Sequence, residues 1–205
     1  MLESSINQKN RTRTLLFLMI ISIVGKAQAQ ESKMEFEPFN TVHVLAQTEA
    51  IAFPFTRYFP IHPGFEIGTQ LASKQKIRSH RSWHIYLGGF FHEEVDLNFY
   101  VRGEYQFCYS LGQKFDFFIP VGLGYLHGFH PAPIYEQKSD GSFSKVTQFG
   151  RPHALGMVGI AFRHEISPSL KAIVRQDLGL QSPFYVTIPV MLRSFFRVGV
   201  TYKLD

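Results

Sequence analysis

The residues with the greatest potential for binding or catalysis are acidic and basic side chains, which recur at every second position in several segments of the sequence. In one run, Asp96, Arg102 and Glu104 share one side of the alternation, and aliphatic and aromatic residues take the other. Charges of both signs at this spacing would either pair with one another or line a path for a solute or a proton. The candidate charge network comprises Glu66, Asp96, Arg102, Glu104, Asp116, Arg163, Lys171, Arg175, Asp177 and Arg197.

The nine histidines raise the question of a metal site. His84 and His92 share one side of their run, but the extended chain would separate them by about 26 Å, so one ion cannot bind both. His127, His130 and His153 could meet around the longest connection and bind zinc or copper. Because neither a nearby cysteine nor a clear carboxylate accompanies them, we predict no metal site and no cofactor.

The elements that carry these side chains are β-strands, because the dominant period along the chain is two residues. Val95–Tyr109 alternates throughout its length, which exceeds the five or six residues, roughly, of a typical soluble strand. Further strands are predicted within Thr41–Phe55 and at Phe65–Leu71, Trp83–His92, Lys114–Phe129, Arg151–Glu165, Leu170–Leu180 and Arg193–Leu204. The sequence therefore predicts an all-β chain that forms a single antiparallel up-and-down barrel of about eight strands.

The first residues have the pattern of a secretory signal peptide. The basic segment Lys9–Arg13 precedes the apolar run Leu15–Val24, and Ala27-Gln28-Ala29 follows as a small-x-small cleavage motif. The expected division of the chain is a signal peptide over 1–29, a short N-terminal tail over 30–40 and the barrel over 41–205.

Net charge and cysteine content exclude two classes of protein. The chain has 21 basic and 16 acidic residues, and four of the basic and one of the acidic residues lie within 1–29, so its net charge of +5 falls to +2 after cleavage. No single-sign run remains, and we expect no binding to nucleic acid. Cys108 is the only cysteine, so a framework of disulfides within the chain is excluded.

Alternation alone leaves two folds open, a soluble barrel with its apolar face inside and a membrane barrel with that face outside. Long strands and an aromatic content of 15% favour the membrane barrel. Glycine also recurs on the polar side of the runs, where a narrow interior needs small residues.

The signal peptide, the long amphipathic strands and the terminal strand Phe195–Tyr202 resemble those of small outer-membrane β-barrel proteins of Gram-negative bacteria. The resemblance covers most of residues 40–205. It implies a transmembrane barrel in the cell outer membrane, reached by Sec-type export and with the help of the barrel-insertion machinery. It also implies contact with outer-membrane lipid and lipopolysaccharide, and a monomeric state.

With eight strands and both ends of the barrel in the periplasm, the connections after the odd-numbered strands face outward. These are about 56–64, 92–95, 130–150 and 181–192. Candidate contact residues in or beside them are Tyr58, Phe59, His62, His130, Tyr135 and Phe143, although aromatic residues at this height also suit the membrane interface. We expect a structural or loop-mediated binding role, with a lumen filled by the charged network.

Two other functions stay open. The charged interior could form a narrow channel or transporter for small solutes, although eight strands leave only enough room for the side chains. His80-Arg81-Ser82 with Glu94 resembles the His-x-Ser and Glu set of the lipid A deacylase barrels, which would make the protein a lipid-modifying enzyme. Glu94 would lie roughly 40 Å from His80 along the strand, so we predict no catalytic residues and no enzymatic activity.

Overall fold

The computed structural model describes residues 34–55, 59–76, 78–93, 96–130, 134–139, 141–146, 149–183 and 189–204. The predicted signal peptide, Tyr58 and Glu94 lie outside these residues. Within the part of the chain that the structure describes, no helix is long and apolar enough to cross a membrane.

The period-two pattern of the sequence folds into strands throughout the described residues. In chain order the strands are β1 Glu35–Phe36, β2 Thr41–Ala50, β3 His62–Gln75, β4 Ser79–His92, β5 Asp96–Ser110, β6 Phe115–Phe129, β7 Ile134–Gln137, β8 Phe143–Val146, β9 Arg151–Ser167, β10 Leu170–Ser182 and β11 Met191–Lys203.

The eight long strands form one closed antiparallel barrel. Around the barrel their order is β2, β3, β4, β5, β6, β9, β10 and β11, and each pairs with the next. β11 closes the barrel on β2, where Val198 lies opposite Ala46. Closure pairs the backbone groups of both outer strands, so no long edge is left open. The predicted eight-stranded antiparallel barrel is therefore confirmed.

The two ends of the barrel differ in the length of their connections. The end called here the turn end carries the short turns 76–78, 111–114 and 168–169 together with the start of β2 and the end of β11. The opposite end, called the loop end, carries the connections 51–61, 93–95, 130–150 and 183–190.

Several elements differ in extent from the prediction. β2 ends at Ala50, and β3 extends beyond both ends of the predicted Phe65–Leu71, with a register shift between Gln70 and Ala72. The longest connection contains the hairpin β7–β8, whose two strands pair with each other in a separate small sheet. The two residues of β1 pair with β3, so part of the segment expected to be a tail extends the sheet.

Burial alternates along the long strands and defines an inner and an outer face. In β5 every even-numbered residue from Asp96 to Cys108 is buried, whereas odd-numbered residues such as Phe99 and Val101 are exposed. The interior also has two apolar clusters, one that includes Tyr86 and another that includes Phe195. Polar side chains fill the remaining interior space.

Candidate functional site: the charged interior

The interior holds matched numbers of buried acids and buried arginines. Among the described residues, the buried acids are Glu49, Glu66, Asp96, Glu104 and Asp177, and the buried arginines are Arg102, Arg163, Arg175, Arg193 and Arg197. Because an unpaired buried charge is costly in free energy, this balance lets the charges compensate one another inside the barrel.

Arg102 on β5 holds the middle of the interior together. Its Nη2 donates a hydrogen bond to Glu66 Oε1 at 2.7 Å, and its Nε donates to Glu66 Oε2 at 3.1 Å. A guanidinium and a carboxylate in this bidentate arrangement form one of the stronger polar contacts in proteins. Arg102 also forms an ion pair with Glu104, and all three side chains are fully buried.

Glu104 continues the contacts across the lumen. Arg175 on β10 donates Nη1 to Glu104 Oε1 at 2.8 Å and Nη2 to Glu104 Oε2 at 2.5 Å. The Nε of the same arginine donates to Asp177 Oδ2 at 2.6 Å. Since β5 and β10 are separated by β6 and β9 around the barrel, this pair joins distant parts of the wall.

Arg197 on β11 completes the set of contacts. It forms an ion pair with Asp177, and its Nη2 lies 3.7 Å from Glu66 Oε2. Its Nε donates to Gln47 Oε1 at 2.8 Å, and the Tyr100 hydroxyl donates to Glu66 Oε2 at 2.7 Å. The central network is defined here as Glu66, Arg102, Glu104, Arg175, Asp177 and Arg197.

A second group of charges lies at the loop end, around Arg193 of β11. Its Nη1 donates to Glu49 Oε1 at 2.9 Å, its Nη2 donates to Asp96 Oδ2 at 2.5 Å, and its Nε donates to Gln181 Oε1 at 2.6 Å. The guanidinium also lies over the ring of Phe90, 5.0 Å from its centroid, a favourable position for a cation.

Two histidines lie beside Glu49 in the same row of side chains. The register places Glu49 of β2 opposite His62 of β3, and His92 belongs to the next strand, β4. His92 Nδ1 donates to Glu49 Oε2 at 2.8 Å, and His62 Nδ1 donates to the main-chain oxygen of Glu49 at 2.9 Å. One potential ligand atom from each of the three side chains lies within 4.8 Å of the others, so this group could hold a metal ion.

Toward the turn end, histidine and hydroxyl side chains replace the ion pairs. His84 Nε2 lies 2.8 Å from Ser82 Oγ, His84 Nδ1 lies 3.1 Å from His43 Nε2, and His43 Nδ1 lies 2.8 Å from Thr201 Oγ1. Beyond them a polar vestibule of about 580 Å³ opens, lined in part by Lys171. His43 and His84 also line this vestibule.

The outer face is predominantly apolar on all eight barrel strands. An aliphatic side chain that is 37% to 77% exposed marks each strand in turn: Val44, Ile67, Leu87, Val101, Leu123, Ile160, Val174 and Val198. A continuous apolar belt around a charged interior suits hydrocarbon rather than water. It excludes the soluble barrel, in which the faces would be reversed.

The protein is an eight-stranded antiparallel β-barrel with the apolar outer face of a membrane-spanning barrel. The closed sheet satisfies its backbone hydrogen bonds internally, as the bilayer requires, and the belt supplies the surface that contacts lipid. The predicted fold is confirmed.

Several solved barrels are similar to the chain at low sequence identity. The N-terminal β-barrel domain of Pseudomonas aeruginosa OprF is 11% identical with a TM-score of 0.45, over 81% of this chain and 100% of that one. Neisserial surface protein A is 10% identical with a TM-score of 0.46, over 82% and 99%. Yersinia pestis Ail is 9% identical with a TM-score of 0.43, over 83% and 100%. No protein-family model and no curated protein matches the chain.

The structure brings together most of the charges that the sequence placed in one set. Glu66, Asp96, Arg102, Glu104, Arg175, Asp177 and Arg197 have the contacts described above. Arg163 is buried and donates to Gln106 Oε1 at 3.2 Å. Asp116 and Lys171 lie apart from the central network, at the turn end, where Lys171 Nζ is 3.9 Å from Asp116 Oδ2.

Sequence reasoning missed two members of the loop-end group, Glu49 and Arg193. Arg193 shares the polar side of its strand with Arg197, which was the available signal for it. Glu49 was harder to find, because the inward residues of β2 include Leu45 and the outward residues include Thr48. The two sides of β2 therefore differ little in polarity, and the pattern does not indicate which way Glu49 points.

The expected loop contacts occupy different environments. Phe59, Tyr135 and Phe143 are exposed at the loop end, and His130 is also exposed. His62 instead begins β3 and is half-buried. His153 is buried and its Nδ1 donates to the main-chain oxygen of Pro183, whereas His127 Nε2 donates to the main-chain oxygen of Phe149.

The residues of the deacylase-like pattern that the structure describes are arranged differently from a catalytic set. Ser82 Oγ bonds to His84 rather than to His80. Ser82 is buried, and His84 also contacts His43. The third member of the pattern, Glu94, lies outside the described residues.

Proposed function

We propose that the protein is a non-conducting outer-membrane barrel that acts as a rigid scaffold for its external loops. The observation that carries this proposal is the central network, in which Glu104 and Arg175 join distant walls of the lumen. A continuous water path would require buried ion pairs to separate, and removing one partner of such a pair typically costs about 3–5 kcal/mol.

The loops supply the second part of the proposal. In the hairpin β7–β8, Tyr135 lies opposite Lys145 and Phe143 lies opposite Gln137. Paired residues and residues two apart point to the same side, so Tyr135 and Phe143 share one face of the hairpin. The two rings are 57% and 68% exposed, and Phe59 of the connection 51–61 is 75% exposed. Exposed aromatic side chains on loops that a rigid scaffold presents are common in binding surfaces. The belt itself would contact the acyl chains of lipid and lipopolysaccharide, with the barrel as a monomer.

Conductance across a planar lipid bilayer tests the closed lumen. We expect no reproducible conductance steps from the wild-type barrel, and steps from an Arg102→Ala/Arg197→Ala variant that removes two long side chains from the lumen. Folding of each protein is checked by its shift in gel mobility on boiling. Reproducible steps from the folded wild type would support the narrow channel instead.

Complementation of a deletion strain tests the loops. We expect the Tyr135→Ser/Phe143→Ser variant to reach the outer membrane normally but to correct the envelope defect of the deletion strain less fully than the wild type does. Leu111→Ser, which changes an exposed apolar residue at the turn end, is the matched control. Equal rescue by the hairpin variant would assign the function to the barrel alone. Acyl release from lipid A by purified protein, detected by mass spectrometry, would contradict the scaffold proposal, whether the function lies in the loops or in the barrel alone.

A further inference from the structure

The row of Glu49, His62 and His92 at the loop end is a group of potential metal ligands on three adjacent strands. The two imidazole rings stack with their centroids 3.6 Å apart and their planes within 16°. The loop-end group around Arg193 uses the Glu49 carboxylate but gives the two histidines no role of their own. Their arrangement points to a ligand.

The hydrogen bonds of the two rings leave one nitrogen free on each. Both Nδ1 atoms donate to oxygen atoms of Glu49, at 2.8 Å for His92 and 2.9 Å for His62. In the part of the chain that the structure describes, neither Nε2 atom has a hydrogen-bond partner. Histidines that bind a metal commonly donate their other ring N–H to a carboxylate or to a main-chain carbonyl, which fixes the tautomer and the ring orientation. Both kinds of acceptor are present here, on one residue.

One ion can bind both Nε2 atoms when one of the two rings turns out of the stack. Because both Nδ1 atoms face Glu49 and the rings are nearly parallel, both Nε2 atoms point away from Glu49 in the same direction. A metal ion lies in the plane of each imidazole that binds it, at about 2.0–2.1 Å from the nitrogen, so one ring must turn well out of the stack to direct its Nε2 at an ion held by the other. His62 is the ring that can turn, because its Nδ1 bonds only to a main-chain oxygen.

Access to the two rings comes from the loop end. A cleft of about 640 Å³ is lined by His62 and His92 together with Phe59, Ile61 and Phe91. An ion can therefore reach the imidazoles without crossing the central network, and water can fill its remaining coordination positions.

We propose that His62 and His92 bind one divalent transition-metal ion through their Nε2 atoms, with Glu49 as the positioning residue that orients the His92 ring and with His62 turning to meet the ion. Imidazole ligands suit Cu²⁺ and Zn²⁺, and Cu²⁺ binds more tightly than Zn²⁺ to a given nitrogen site. Arg193 holds the other oxygen of the Glu49 carboxylate and keeps it in place.

Titration of the purified, folded barrel with Cu²⁺ and Zn²⁺ tests the site. We expect one equivalent of Cu²⁺ bound, more weakly bound Zn²⁺, and an electron paramagnetic resonance spectrum with coupling to two nitrogen nuclei. His62→Asn and His92→Asn should each lower the Cu²⁺ affinity more than a hundredfold, and Glu49→Gln should lower it about 10- to 100-fold, as is typical when a residue that supports a ligand is lost.

His127→Asn is the matched control, because both ring nitrogens of His127 already have partners, the Tyr125 hydroxyl and the Phe149 oxygen. Its affinity for Cu²⁺ should equal that of the wild type. Each variant is checked for the mobility shift of a folded barrel; His62→Asn alone decides the test if His92→Asn does not fold, because the His62 ring bonds only to a main-chain oxygen. Absence of saturable binding, or unchanged binding by folded His62→Asn, would overturn the proposal.

Discussion

Arg193 of β11 and Asp96 of β5 meet inside the barrel, with Nη2 2.5 Å from Oδ2, although their strands stand on opposite walls. Going around the sheet, β10, β9 and β6 separate the two strands on one side, and β2, β3 and β4 separate them on the other. A single ion pair therefore spans the lumen at the loop end. Together with the pair of Glu104 and Arg175, it connects distant strands of the barrel through the lumen.

The first prediction concerns the stability that the central network provides. Glu104→Ala removes the acceptor of both Arg102 and Arg175 and leaves their charges buried without it. We expect the free energy of unfolding to fall by about 3–5 kcal/mol. Urea unfolding of the barrel in lipid vesicles measures this change.

Glu165→Ala provides the comparison for that measurement. Glu165 pairs with Lys171 at 3.6 Å in a partly exposed position at the turn end, where a salt bridge contributes at most about 1 kcal/mol. If Glu104→Ala were no more destabilising than Glu165→Ala, the central network would not be a major source of stability.

The alternation of β5 placed Arg102 and Glu104 on one face, and the long strands and the aromatic content of the chain favoured the orientation that turns this face inward. The odd-numbered side of β5 is uniformly apolar, so only one orientation satisfies a lipid environment. The orientation of β2 is harder to predict from its sequence, because Leu45 faces inward among polar residues. In such a strand the direction of Glu49 is decided by pairing with β3 and β11.

Contacts between distant strands could not be predicted from the sequence. The row of Glu49, His62 and His92 depends on the register of β2 with β3 and of β3 with β4, and a shift of one residue would turn a side chain to the other face. The pair of Arg193 and Asp96 depends in addition on the diameter of the closed barrel. The alternation within one strand determines neither the register between strands nor the diameter of the barrel.

The second prediction concerns glycine on the inner face. A Cβ atom on Gly88 would lie 2.5 Å from the Tyr100 hydroxyl oxygen, so Gly88→Ala must displace the ring that bonds to Glu66. We expect a loss of about 1–3 kcal/mol, the usual cost of overpacking. Gly103→Ala on the outer face meets no atom within 4 Å and should be neutral or slightly stabilising. Equal unfolding free energies for the two variants would contradict a tightly packed lumen.

The third prediction concerns the middle of the belt. Leu123 of β6 is 77% exposed on the outer face, and Leu123→Lys places a charge in the hydrocarbon. A lysine near the bilayer midplane costs about 2–4 kcal/mol, whereas one near the interface costs at most about 1 kcal/mol. Leu111→Lys at the turn end is the matched control. Unfolding in vesicles should therefore separate the two variants, and equal effects would argue against a lipid environment at Leu123.

The fourth prediction uses the only tryptophan, Trp83, to report directly which face meets lipid. Trp83 lies on the outer face of β4 against Tyr105, with ring centroids 4.8 Å apart. Since the belt contacts acyl chains, lipids with brominated chains should quench its fluorescence strongly and aqueous iodide should quench it weakly. A Trp83→Phe/Phe149→Trp variant moves the probe to an exposed position at the loop end and should reverse this order. Strong iodide quenching of Trp83 in the reconstituted barrel would place the apolar face in water and contradict the membrane assignment.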